Sequence, residues 1–146
     1  MKHAFTMIEL IFIIVILGIL TAIAIPKLAT IRLDAKLVKI AQNIMTGTEE
    51  IASYSIAQAK TIDDLAEMSN SMAMLRDSGD AILSNKKAEI IMGTTTQCII
   101  IKVLTGFNDD NLTITLGPSS DPECLLLQSR IDAAKYPMVL RGEYVK

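Results

Sequence analysis

Residues 5–26 read FTMIELIFIIVILGILTAIAIP, and the fold turns on this stretch. Between Phe5 and Ile25 only Thr6, Glu9, Gly18 and Thr21 fall outside the apolar class. From Leu10 to Pro26 no residue is charged. With Phe5–Ile8 added, the run approaches the ~20 residues that cross ~30 Å of hydrocarbon. A cleaved signal peptide is the competing reading, because Thr21-Ala22-Ile23-Ala24 has the small residues of a cleavage site. Against it, the apolar run continues through Ile25, and Met1–Ala4 is very short for an n-region.

Outside this stretch the composition is ordinary. The chain has 146 residues, 51% of them apolar, with a mean hydropathy of +0.41. Without the apolar run, about 125 residues remain, roughly 46% apolar, which is the globular norm. The composition therefore describes a membrane segment plus a soluble domain of about 100 residues. It excludes a plain cytosolic globular protein, a disordered chain and a multi-span transporter. Fourteen Lys and Arg against sixteen Asp and Glu give −2, with no basic excess. Aromatics are 4% and Trp is absent, so no specific nucleic-acid partner is expected. The single histidine, His3, precedes the apolar run. The soluble part therefore lacks the histidine that most zinc sites and nucleophile–His dyads need. No catalytic set is apparent, and the chain is expected not to be an enzyme.

Glu9 stands out within the apolar run. An ionisable side chain near a bilayer centre costs about 2.5–3.5 kcal/mol on insertion scales, so it marks a functional position by default. Two readings are open. Glu9 lies at the membrane edge and reaches the headgroups, or it awaits a positive partner.

Ala4-Phe5-Thr6-Met7-Ile8-Glu9-Leu10, followed by the apolar run, resembles the N-terminus of type IV pilins and type II secretion pseudopilins. The resemblance covers about 30 residues and implies a short cytoplasmic leader, Met1–Ala4. It implies cleavage by a prepilin peptidase between Ala4 and Phe5, and methylation of the new Phe5 amine. The residue before the cut is usually Gly in the family; Ala4 is also small. Glu9 matches the family glutamate, while Gly18 and Pro26 match its helix glycine and proline. The resemblance further implies that Glu9 pairs with the Phe5 amine of a neighbouring subunit in a filament. A buried charge left without its partner costs several kcal/mol, so such pairing would enforce register. Counting Lys and Arg on either side of the span would place the large domain in the cytoplasm. The cleavage motif implies the opposite, with the leader in the cytoplasm and the domain outside.

Beyond Pro26 the helical pattern resumes. Proline frees the carbonyl of Ala22 and is expected to kink or locally melt the helix. Leu33, Leu37, Ile40, Ile44, Gly47, Ile51 and Tyr54 recur at steps of three and four and form one helical stripe. Arg32, Lys36, Lys39, Asn43, Thr46, Glu50 and Ser53 form a polar face beside it. A helix from Phe5 to about Ala59 would be ~80 Å long. Gly18 and Ala22 lie four apart, a small-residue pair that lets membrane helices approach closely. The domains expected are therefore the leader 1–4, a membrane and assembly helix 5–26, its exposed continuation 27–59, and a globular part 60–146.

The globular part begins with a second helix. Thr61 reads as its N-cap, Asp64 completes a near capping box, and Gly79 is its stop. Leu65, Met68, Met72 and Leu75 form its core stripe. Strands are expected at Ala88–Met92, Gln97–Leu104 and Leu112–Leu116, with edge strands at Cys124–Leu127 and Met138–Leu140. Gly106–Asn111 reads as a hairpin loop and Gly117–Pro122 as a turn. The expected fold class is α+β, a long N-terminal helix against a small antiparallel β-sheet. The pilin family has this ladle shape.

Cys98 and Cys124 lie 26 positions apart, a spacing that fits neither a zinc ribbon nor a C-x-x-C redox pair. In an exported domain two cysteines usually pair, and closing such a loop adds roughly 3–4 kcal/mol. Two buried free thiols are the alternative. Oxygen ligands gather in two loops, with Asp109 and Asp110 in one and Asp121 and Glu123 in the other. They are weak calcium candidates, since solvated turns favour Asp and Asn anyway. No other cofactor is expected.

The function expected from the resemblance is a structural filament subunit, pilin or pseudopilin. Its partners would be further copies of itself, the prepilin peptidase, an inner-membrane assembly platform and the lipid bilayer. It would sit in a bacterial inner membrane and then in a periplasmic or surface filament. The alternative is a single-pass anchored binding module that never polymerises.

Overall fold

The computed structural model describes residues 6–106 and 110–141. The chain divides into two units, Met1–Lys36 and Leu37–Lys146. Helix α1, Met7–Gln58, contributes residues to both. Its 52 residues contain Pro26, which does not end it. Proline removes one N–H from the ladder, but the helical bonds on either side persist.

In the first unit every described large apolar side chain from Met7 to Ile31 is exposed, the least so being Ile16 at 40%. An apolar surface of this extent is unfavourable in water and calls for lipid or protein around it. The segment is long and apolar enough to cross a membrane.

In the second unit the predicted stripe is buried as far as Ile51, with Tyr54 half-buried, and Asn43, Thr46 and Glu50 of the polar face are half-buried too. Leu37, Ile40, Ile44, Gly47 and Ile51 are buried, while Lys39 and Ser53 on the polar face are exposed. This stripe packs against a five-stranded antiparallel sheet, in the order β1-β2-β3-β4-β5. The strands are β1 (Ala81–Ser84), β2 (Lys87–Met92), β3 (Thr95–Thr105), β4 (Asp110–Leu116) and β5 (Met138–Arg141). Ala88, Ile90, Ile99, Ile101, Val103, Leu112 and Ile114 face the core, and Leu140 joins them from β5. Burying each of the Ile, Val and Leu side chains among them is worth about 1.5–3 kcal/mol. Ile82, Lys102, Leu104, Thr115 and Val139 are on the solvent side of the alternation.

The chain between α1 and β1 differs from expectation in two ways. Two helices stand where one was predicted, α2 (Leu65–Met68) and α3 (Asn70–Asp77). The N-cap of α2 is Asp64, which accepts from the Ala66 N–H at 2.8 Å. Thr61 is not a cap; its hydroxyl donates to Asp110 Oδ2 at 2.8 Å. The break falls at Ser69, whose extended backbone caps α3 through the Met72 N–H at 3.0 Å. Contact with α1 explains the break. The Ser69 hydroxyl and the Ser71 N–H donate to Glu50 Oε2 of α1, at 2.6 and 2.9 Å. Beside them, Gly47 leaves the space that Met72 fills; a Cβ there would lie 2.7 Å from Met72 Cε.

Two strand readings also change. Cys124–Leu127 is helical, within α4 (Pro122–Gln128). Asp121 caps it and Pro122 opens it, a pairing that starts helices and overrides the local β propensity. Strand β1 was not predicted. Its four residues join β2 through Asn85 and Lys86, with Lys86 at φ +54°.

Candidate functional site

The first candidate region is the start of α1. Thr6 and Glu9 form a reciprocal cap: the Thr6 N–H and hydroxyl donate to Glu9 Oε2 at 2.9 and 2.8 Å, and the Glu9 N–H donates to Thr6 Oγ1 at 3.4 Å. This is the S/T-x-x-E capping box, which satisfies donors otherwise orphaned at a helix start. The pattern is legible in Thr6-Met7-Ile8-Glu9, a threonine followed three residues later by a glutamate. The Glu9 carboxylate therefore has a local role in the isolated chain. Its other oxygen, Oε1, accepts nothing among the described residues. Ala4 and Phe5, the expected cleavage and methylation positions, lie outside the described residues.

Further along, Gly18 has nothing within 4 Å of where a Cβ would stand. Ala22 is exposed one turn later. The Thr21 hydroxyl between them turns back to the Leu17 carbonyl at 2.6 Å, so its polar group is satisfied within the helix. Gly18 and Ala22 thus leave a shallow strip where another helix can approach. Pro26 stands within the same helical run.

The second region is the disulfide-linked end of the sheet. Cys98 of β3 and Cys124 of α4 are bonded, with their Cα atoms 5.6 Å apart. Both are fully buried. Gln128 at the end of α4 donates to the carbonyls of Cys98 and Gly117, both at 2.8 Å. Asp121 holds the other end. Its Oδ2 accepts from the Thr94 N–H at 2.7 Å and the Thr94 hydroxyl at 2.8 Å, while Oδ1 accepts from the Glu123 N–H at 2.9 Å. The two hydrogen bonds from Thr94 are the largest cause that holds the Asp121 carboxyl below its ordinary range; burial opposes them, and the Glu123 and Cys124 N–H groups add lesser help. Gly93, at φ +58°, makes the tight β2–β3 turn, and a Cβ on it would run into the Asp121 carboxylate. Thr94 and Gln128 carried no sequence signal of these roles, because each meets its partner only across the tertiary fold.

The three described calcium candidates, Asp110, Asp121 and Glu123, do not form a metal-ligand cluster. Asp109 lies outside the described residues. Asp110 is buried and accepts from Thr61, whereas Asp121 already spends its lone pairs on N–H and O–H donors. Glu123 lies in the first turn of α4. Among the described residues no three His, Cys, Asp or Glu side chains cluster as metal ligands would.

Elsewhere, Glu89 of β2 pairs with Lys87 and accepts from Gln97 at 2.8 Å. The Lys87 hydrogen bond holds its carboxyl below the ordinary value. Two clefts of about 270 and 360 Å³ mark the second unit. The first is lined by Asp63, Asp64, Arg76 and the β1–β2 turn, the second by Val38, Met45 and Arg130. Neither assembles a nucleophile with a base.

The architecture is pilin-like: a long N-terminal helix, apolar in its first half, packs in its second half on an antiparallel sheet that carries a disulfide. Comparison with protein-family models, with curated proteins and with solved structures finds no match for this chain, so the likeness stands on the N-terminal motif and the architecture together.

Proposed function

We propose that the chain is a structural subunit of a type IV pilus or type II secretion filament. One observation carries this reading: α1 begins with a membrane-length apolar segment, wholly exposed, holding a single carboxylate in its first turn. A prepilin peptidase cuts between Ala4 and Phe5 and methylates the new amine. The subunit waits in the inner membrane with the second unit outside the cytoplasm. An assembly platform then moves it into a filament of like copies. There the apolar face of α1 exchanges lipid for neighbouring helices, with close approach at Gly18 and Ala22. Glu9 accepts the Phe5 amine of a neighbour through the oxygen that Thr6 leaves unused.

The test is Glu9→Val, read as the ratio of sheared filament to membrane-bound subunit, with intact mass to check processing. The expected result is processed, folded subunit that accumulates in the membrane and forms few filaments. Normal filament yield would defeat the pairing mechanism.

The capping box supports a second reading. Because Thr6 donates twice to one Glu9 oxygen, the carboxylate has a partner within its own chain. On that reading the chain is an anchored binding module, and the parent protein forms no filaments even when expressed with its own assembly genes.

A further inference from the structure

Asn111-Leu112-Thr113 has the acceptor pattern for an N-linked glycan, an asparagine followed two residues later by Ser or Thr. Asn43, Asn70, Asn85 and Asn108 lack it. The structure places this triplet where a glycan fits. Asn111 is the second residue of β4. In the register it stands between Leu104 of β3 and Val139 of β5. Cross-strand partners share a face of the sheet, and this is the face turned away from the core. Leu104 is 52% and Val139 57% exposed, and Asn111 between them is half-buried, on the solvent side of the sheet. The Asn111 amide makes no hydrogen bond among the described residues. The neighbours Asp110 and Leu112 point the other way and are buried. A shift of one residue would have turned the acceptor into the core.

We propose that Asn111 is an N-glycosylation site, loaded during export from a lipid-linked oligosaccharide diphosphate; this rests on the second unit being exported. The step balances without an oxidant. Asn111 Nδ2 forms a bond to the anomeric carbon, the bond from that carbon to the diphosphate oxygen breaks, and lipid diphosphate leaves. The amide proton passes to a base on the transferase. In the folded unit the Thr113 hydroxyl donates to the Lys102 carbonyl at 3.3 Å and the Asn111 backbone lies between two strands. The triplet is therefore read before β4 pairs, while the chain is extended. Once β4 and β5 pair, the glycan emerges on the solvent face and covers Leu104 and Val139 without entering the core.

The experiment is mass spectrometry of the reduced tryptic peptide containing Asn111, from full-length protein purified from its own cells. The expected result is whole sugar units on Asn111, lost in Asn111→Gln and Thr113→Val and retained in Thr113→Ser. Unmodified Asn111 in chains whose Cys98 and Cys124 are bonded would overturn the site and leave the filament reading standing. Free thiols at both cysteines would mean that the domain is not exported, which overturns both. Sugar that persists in Asn111→Gln would place the modification on a hydroxyl and overturn the N-linked assignment.

Discussion

Thr6 and Glu9 hold each other at the first turn of α1, the threonine donating twice to one carboxylate oxygen and accepting the Glu9 N–H in return. The arrangement separates two roles that the motif alone confounds. A cap stabilises one helix end, by about 0.5–2 kcal/mol. A charge pair between subunits decides whether a filament forms at all.

Thr6→Val removes the hydroxyl half of the cap and leaves the carboxylate. If Glu9 acts on a neighbour, filament yield from Thr6→Val stays near the parent while Glu9→Val falls sharply. If Glu9 only caps, the two variants lose filament alike. Shearing yield, normalised to processed subunit by intact mass, reads the difference.

Processing has its own signature. Intact mass of the purified protein is expected to show loss of Met1–Ala4 and one added methyl group. Ala4→Glu should abolish the cut, since a long charged side chain replaces the small residue before it. A mature N-terminus at Ile25 would instead mean removal of the whole apolar run by a signal peptidase and would end the filament reading.

The Cys98–Cys124 bond ties β3 to α4 across 26 positions. Closing a loop of this size stabilises by roughly 3–4 kcal/mol through the unfolded chain. The double variant Cys98→Ser, Cys124→Ser should lose about that much, seen as an earlier denaturant midpoint in detergent. Membrane insertion should be unchanged, because neither cysteine lies in the apolar run. An unchanged midpoint would show that Asp121 and Gln128 hold α4 by themselves.

Glu50 gives stability a dependence on acid. Burial pushes its carboxyl up, but hydrogen bonds from Ser69, Ser71 and Asn70 together outweigh burial, and the group ends below its ordinary 4.5. A lowered folded-state value means that the charged form favours folding. That contribution is complete above 4.5 and fades as pH falls through the lowered value. Asp121 and Glu89 act in the same direction. Glu50→Gln should lower the denaturant midpoint at neutral pH and flatten its decline in acid. A decline as steep as the parent's would assign the acid response to the other carboxylates.

Much of this protein was legible along the chain, because the signals are periodic and local. An apolar run of this length reads as a helix long enough to cross a membrane. The stripe from Leu37 to Ile51 lies on one face at 3.6 residues per turn, and the β-branched run at Ile99–Val103 alternates as a strand does. Each of these depends on neighbours within a few positions. The Asp121-Pro122 helix start was equally local, and reading Cys124–Leu127 as a strand gave propensity more weight than the cap.

Other features had no local trace. Thr61 looked like a cap until Asp110, 49 positions away, took its hydroxyl. The break at Ser69 arises because Gly47 and Glu50 of α1 bring a second chain segment close enough to compete for its hydrogen bonds. Thr94 meets Asp121 only because β3 returns the turn to the start of α4. The outward aim of Asn111 depends on which face α1 covers, and that is a property of the packed sheet. A hydrogen-bonding group takes the partner that the finished fold brings within about 3 Å, and for these residues that partner is remote in sequence.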